Sequence, residues 1–197
     1  MYNFVSRGGI KLQSAIENWK LNLENLVCLD VGSSTGGFVD CLLQNGAAKV
    51  YALDTAYGEL AWKLRNDPRV VVMERTNILY LESLPEQVDL VTIDAGWTKL
   101  ELVLPVVKKF LKPDGIIIAL LKPQYEADKR SFPFPGGKRK KDLVKGILPE
   151  GIAERVKDEV VERLQVLGYR VQQVMESPIL GGAGNQEYLL YLTFQKK

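Results

Sequence analysis

Apolar residues recur along this chain in two rhythms. Short, mostly apolar runs cover residues 27–31, 50–53, 70–73, 88–93 and 116–121. Between them the spacing changes to threes and fours, as in Leu12, Ile16 and Trp19, or Phe38, Cys41 and Leu42. Runs of the first kind predict buried parallel strands, and the second spacing predicts amphipathic helices packed on them. The helices are expected over 10–20, from Phe38 onward, over 58–65 on Leu60, Ala61 and Leu64, and over 100–111, stopped by Pro113 and Gly115. A strong amphipathic stretch over 149–167 carries Ile152, Val156, Val160, Leu164 and Leu167, with Gly168 as its stop. Two more strands follow, over 170–175 and 187–194, with a Gly181-Gly182-Ala183-Gly184-Asn185 loop and no crossover helix between them, so they should be antiparallel neighbours. The pattern is that of one α/β domain over residues 1–197: a lead-in and helix to residue 20, then a seven-stranded sheet whose last strand is antiparallel.

The first strand runs into Gly32-Ser33-Ser34-Thr35-Gly36-Gly37-Phe38. A glycine turn between a parallel strand and a helix lets backbone approach a ligand, and the helix N-terminus favours negative charge. Serine stands where a dinucleotide fingerprint would place its second glycine; a Cβ there is expected to crowd a pyrophosphate and favour a nucleoside ligand without one. Asp54 closes the second strand about 20 residues on, the position from which a carboxylate accepts ribose hydroxyls. Asn77, beyond the third strand, could read an adenine edge or cap a turn. Asp30, Asp54, Asp94 and Lys122 all fall at the carboxyl ends of predicted strands, where open α/β sheets bind their ligands. Lys11 falls in the first turn of its helix, on a face away from the apolar stripe, where a solvated surface lysine is the plain expectation.

Composition narrows the chemistry. The chain has 197 residues and no histidine, which removes Ser-His-Asp and Cys-His nucleophiles and the histidine zinc motifs. Cys28 and Cys41 lie among apolar residues and read as reduced core positions. No stretch approaches the ~20 apolar residues of a membrane span and no signal peptide is evident, so a cytoplasmic location without membrane contact is expected. With 26 basic and 24 acidic residues the net charge is only +2, yet residues 129–145 gather seven Lys/Arg against Asp142 alone. Within that long irregular stretch, 128–148, the run Lys138-Arg139-Lys140-Lys141 follows two phenylalanines, a composition suited to phosphate contact and base stacking or to a plain solvated loop.

Ser6-Arg7-Gly8-Gly9-x-Lys11-Leu12, the glycine turn with its leading Leu29-Asp30-Val31, Leu64-Arg65, Glu74-Arg75-Thr76-Asn77, Lys122-Pro123-Gln124-Tyr125-Glu126 and Gly184-Asn185-x-Glu187 together resemble the TlyA (haemolysin A) family. That family belongs to the FtsJ-like RNA 2′-O-ribose methyltransferases. The resemblance implies a class I S-adenosylmethionine-dependent methyltransferase fold and a catalytic Lys-Asp-Lys-Glu set at Lys11, Asp94, Lys122 and Glu187. It also assigns S-adenosylmethionine to Gly32 through Phe38, with Asp54 on its ribose, Asn77 near its adenine and Asp94 alongside. RNA, ribosomal RNA foremost, is the implied substrate, with Arg7 and the Lys138–Lys141 run as contacts. The family adds an S4-type RNA-binding domain before this region, and the present chain begins where that domain would end. After strand four the family's Asp-Val-Ser-Phe becomes Asp94-Ala95-Gly96-Trp97.

A methyltransferase-like module that holds RNA without catalysis is the competing reading, but a binding surface has no need of two lysines facing two acids. Amino-nitrogen methylation usually shows prolines after strand four, and Asp94-Ala95-Gly96-Trp97 has none. If Lys138, Arg139, Lys140 and Lys141 contact phosphates of single-stranded RNA, neutralising all four should flatten the salt dependence of RNA binding by about 3 in log–log slope. Filter binding between 50 and 200 mM salt measures this, and an unaltered slope would leave the run a solvated tether.

Overall fold

The protein was analysed as a computed structural model, which describes residues 3–96, 98–127, 147–149 and 151–194. Their elements run α1 (Gly8–Asn18), β1 (Val27–Val31), α2 (Gly37–Gln44), β2 (Lys49–Leu53), α3 (Trp62–Arg65), β3 (Val70–Met73), β4 (Val88–Ile93), α4 (Leu100–Val107), β5 (Leu111–Leu121), α5 (Pro123–Glu126), α6 (Ile152–Val166), β6 (Tyr169–Glu176) and β7 (Tyr188–Phe194), with a 3-10 turn at Ile78–Tyr80 after β3. The seven strands form one sheet in the order β3-β2-β1-β4-β5-β7-β6. The first five are parallel to one another, while β7 is antiparallel to both β5 and β6. The expected antiparallel final pair is therefore present, and β7 is inserted between β5 and β6.

Apolar side chains leave the sheet on both faces. On one, Leu12, Ile16, Phe38, Leu42 and Leu64 bury α1, α2 and α3 against Cys28, Val50 and Leu90. On the other, Leu100, Leu104, Val156 and Leu164 bury α4 and α6 against Leu29, Val91 and Ile117. Each such side chain contributes roughly 1.5–3 kcal/mol when fully removed from water. Cys28 and Cys41 are buried free thiols, and burial raises both above the ordinary thiol value. Among the described residues no helix is long and apolar enough to cross a membrane.

Several expected boundaries move. The helix over 58–65 shrinks to α3, because residues 56–61 give their backbone groups to other partners. Gly58 N–H donates to Glu74 Oε1, Arg75 N–H to the Ala56 carbonyl, and Ala61 N–H to the Thr35 carbonyl. α4 ends at Val107, well short of Pro113 and Gly115. Those two residues lie in an irregularity of β5, where Val88 pairs with Leu111 and Leu90 already with Ile116. A bulge tolerates proline, since its missing N–H is not asked to join the ladder. α1 begins two residues early, at Gly8, and α6 three residues late, at Ile152.

Asp30 also differs from expectation. It lies inside β1, wholly buried, and its Oδ1 accepts from Thr92 Oγ1 (2.6 Å) while Oδ2 has no partner. Burial raises its carboxyl to about 7. The folded value exceeds the unfolded one, so the native state keeps a proton that the unfolded chain releases between about pH 4 and 7; stability falls as pH rises through that window. Asp30→Asn, neutral throughout, should remove that decline and gain on the order of 2–4 kcal/mol over wild type at pH 8, with little difference near pH 4. Urea titrations across this range measure it, and parallel pH profiles for the two proteins would dismiss the assignment.

Candidate functional site

Two adjoining lobes open beyond the carboxyl ends of β1, β2, β4 and β5. The larger, about 470 Å³, is lined by Leu53, Asp54, Glu59, Asn77 and Ile78 on one side and by Asp94, Gly96, Thr98 and Lys122 on the other. The smaller, about 230 Å³, lies between the start of α1 (Ser6, Arg7, Gly8, Lys11) and the glycine turn with the start of α2 (Ser33, Ser34, Thr35, Gly37, Phe38). Gly32, Ser34 and Asp94 border both lobes. One lobe thus offers the apolar side chains of Leu53 and Ile78 with three acids, Asp54, Glu59 and Asp94, and the Asn77 amide, and the other offers two helix N-termini, which favour a carboxylate.

The glycines of the turn are required first by protein contacts. Gly32 (φ +85°) would place a Cβ 2.7 Å from the Asp94 carbonyl, and Gly36 (φ +96°) one 2.2 Å from Leu64 Cδ1. At Gly37 a Cβ would fall 2.2 Å from Ser6 Oγ. The turn therefore lets the Asp94 loop, α3 and the N-terminal lead-in close around it. Ser33 lines the smaller lobe, while its hydroxyl turns inward, donating to the Asp30 carbonyl (3.1 Å), with the Leu53 carbonyl at 3.4 Å.

Asp54 is tied to the same turn. Ser34, in the left-handed region at φ 46°, aims its N–H at Asp54 Oδ2 (2.7 Å), and Ala56 N–H donates to Oδ1 (2.8 Å). An ionised carboxylate has about four acceptor positions, so two remain for a ligand. Glu59, which sequence reading passed over, lines the larger lobe and accepts from Ser34 Oγ at 3.1 Å. Asn77 does cap a turn, its Oδ1 accepting from Leu79 N–H (3.0 Å), while it lines the larger lobe as well. Both alternatives for that residue are compatible with its position.

The four residues of the implied catalytic set come together as two ion pairs. Lys11 Nζ meets Glu187 Oε2 at 2.5 Å, and Lys122 Nζ meets Asp94 Oδ1. Lys122 Nζ also approaches the Asp94 carbonyl at 3.5 Å. Lys11 is buried, contrary to the surface position expected for it, because β7 carries Glu187 up to that face of α1. Glu187, one residue before β7, is enclosed by its own loop: Ser177 N–H donates to its carbonyl at 2.8 Å, and a Cβ on Gly181 would sit 2.3 Å from its Oε1. Burial pushes the Asp94 carboxyl up from its ordinary value, and the Lys122 and Lys11 ammonium groups oppose that shift. Both pairs thus act on one carboxylate at the junction of the two lobes. Arg7 is exposed at the mouth of the smaller lobe. Lys138, Arg139, Lys140 and Lys141 lie outside the described residues.

Residues 4–194 match the model of the FtsJ-like methyltransferase family. YqxC of Bacillus subtilis is 43% identical over 96% of this chain and 65% of its own length. The 16S/23S rRNA (cytidine-2′-O)-methyltransferase TlyA of Mycobacterium tuberculosis is 42% identical over 98% of this chain and 69% of its own. The chain therefore spans about two-thirds of the length of these relatives. A solved structure from Streptococcus thermophilus, described as a hemolysin, superposes with a TM-score of 0.88 at 37% identity, covering 100% of this chain and 69% of that one. A methyltransferase sheet order, a glycine turn closed on Asp94, paired lysines and acids, and likeness along nearly the whole chain agree, and the protein belongs to the FtsJ-like methyltransferase family, in its TlyA–hemolysin A branch.

Proposed function

We propose that this chain is an S-adenosylmethionine-dependent RNA ribose 2′-O-methyltransferase that acts on ribosomal RNA in the cytoplasm. The supporting observation is the convergence of the Lys11–Glu187 and Lys122–Asp94 pairs where the two lobes meet. The names of TlyA from Mycobacterium tuberculosis and from Campylobacter jejuni give rRNA cytidine 2′-O-methylation, which favours the same substrate class here.

The residues suit the cofactor. Asp54 has acceptor positions free for ribose hydroxyls, Asn77 and Ile78 would hold the adenine end, and the backbone from Gly32 to Phe38 with the α2 N-terminus would hold the methionine end. S-adenosylmethionine supplies, when bound, an activated methyl group. A ribose 2′-hydroxyl is a very weak acid, so transfer benefits from a base at the attacking oxygen. Without histidine, Lys122 Nζ is the group assigned to take that proton, which an amine can do only after giving up its own. Asp94 orients Lys122, Glu187 orients Lys11, and Lys11 stabilises the negative charge developing on the oxygen. Arg7 and the Lys138–Lys141 run hold RNA phosphates, which attract cations without reading sequence.

Asp54→Ala should weaken S-adenosylmethionine binding by about 1.5–3 kcal/mol, the cost of losing hydrogen bonds to a charged acceptor. Isothermal calorimetry is the measurement, with NAD giving no heat; unchanged affinity would remove Asp54 from the site. Lys122→Ala should abolish methyl transfer to unmodified ribosomal RNA while cofactor affinity stays within roughly 1 kcal/mol, since the contact is used in the transition state. Lys122→Arg should be nearly as inactive, because a guanidinium stays protonated. Labelled-methyl transfer followed by nucleoside analysis tests both. A Lys122→Arg enzyme with near-normal turnover would show that a fixed positive charge suffices and that the base lies elsewhere.

A further inference from the structure

Glu126 closes the Lys122-Pro123-Gln124-Tyr125-Glu126 segment, and nothing in the proposed chemistry uses it. It is buried, at 4% exposure, one turn beyond Lys122. α5 starts from Lys122 with Pro123 in its first turn, and the Tyr125 and Glu126 N–H groups donate back to the Lys122 carbonyl (2.9 and 3.3 Å). Proline at that place suits a helix start, since no N–H is demanded there. The short turn thereby fixes where Glu126 stands relative to Lys122.

Its carboxylate reaches the next strand's loop. Oε1 accepts from Leu100 N–H at 2.8 Å, the first residue of α4, six positions after Asp94. Helix starts leave N–H groups unpaired unless a cap supplies an acceptor, and Lys99, at the capping position of α4, supplies none from its side chain. Glu126 is thus a cap delivered from outside the helix. Oε2 lies 3.9 Å from an Arg163 guanidinium nitrogen on α6, and Arg163 Nε lies 3.6 Å from Glu101 on α4. Burial raises the Glu126 carboxyl, against the Leu100 N–H and the Arg163 and Lys99 charges. Whether charged or neutral, a carboxyl oxygen can still accept the Leu100 N–H.

These contacts form a closed circuit. From Lys122 the chain turns through α5 to Glu126, crosses by hydrogen bond to Leu100, six positions along the chain from Asp94, and Asp94 crosses back by the ion pair to Lys122. Two loops, from β4 and β5, are fastened at both ends, once by the catalytic pair and once by Glu126. We propose that Glu126 is a positioning residue for this active site: by capping α4 it holds the Asp94 loop in register with Lys122, so that the base and its orienting acid meet. The inference rests on the proposed methyl transfer for its activity readout and on no function for its structural one. A small displacement of a base from its reacting atom can lower rates on the order of 100-fold.

The test compares Glu126→Ala with Glu126→Gln, whose amide oxygen can still accept from Leu100. Three readouts are taken: hydrogen exchange at the Leu100 amide, S-adenosylmethionine affinity by calorimetry, and single-turnover methylation of unmodified ribosomal RNA. Glu126→Ala should expose the Leu100 amide to exchange and lower the single-turnover rate by about 10- to 100-fold, with cofactor affinity and RNA KM each within about 3-fold of wild type. Glu126→Gln should keep Leu100 protected and the rate within about 3-fold of wild type. A Glu126→Ala protein with wild-type turnover, or a Glu126→Gln protein as slow as Glu126→Ala despite a protected Leu100, overturns the positioning role. Wild-type protein that transfers no methyl group to RNA overturns the proposed function instead; Leu100 exchange unchanged in Glu126→Ala then still overturns the cap.

Discussion

Everything at the ligand edge depends on a buried ion pair between residues 176 positions apart, Lys11 and Glu187. Taking an ammonium and a carboxylate out of water costs several kcal/mol each, and their attraction repays this only with close geometry. The pair meets at 2.5 Å with both side chains almost wholly withdrawn from water. Removing either partner would strand the other, at about 3–5 kcal/mol. It therefore ties the first helix to the last strand, and it sets the N-terminal lead-in across the glycine turn. The insertion of β7 beside β5 is what makes the meeting possible, since Tyr188, next to Glu187, pairs with Leu121, next to Lys122.

Three acids near the strand ends illustrate how surroundings assign chemistry to identical side chains. Asp30, sealed inside β1 with one hydroxyl donor, is pushed toward the neutral form. Asp54, at the cleft, accepts two backbone N–H groups, which fix its direction. Asp94 faces the Lys122 ammonium and feels Lys11 as well, so it serves to hold a lysine in place. The first shapes stability against pH, the second offers a ligand its remaining acceptor positions, and the third links both lobes of the cleft.

The glycine turn joins these parts by the absence of side chains. Cβ atoms at Gly32, Gly36 and Gly37 would collide with the Asp94 loop, with Leu64 and with Ser6. The Asp94 backbone and the side chains of Leu64 and Ser6 can then pack directly against the turn. Glu126 extends the same logic to the neighbouring loops, using one carboxylate where the turn uses missing methyl groups.

Sequence pattern alone determined the strands, their parallel run, the antiparallel final pair and the sheet edge at which the cleft opens, because strand periodicity and strand-end residues are local properties. The resemblance in short motifs located Lys11, Asp94, Lys122 and Glu187 one by one, although spacing on α1 alone pointed Lys11 toward solvent. Tertiary structure decided what each does with its neighbours. Ser33 faces the sheet because two carbonyls await its hydroxyl there, and Asp30 is buried because Thr92 lies opposite it on β4. The short α3 and the early end of α4 follow from backbone groups claimed by distant partners and by the β4–β5 register. The cap on α4 joins residues 26 apart through a side chain, and no local window of sequence holds both ends of such a contact. Local patterns record which face a residue prefers, while ion pairs, caps and buried acids arise only when folding brings separate segments within a few ångströms.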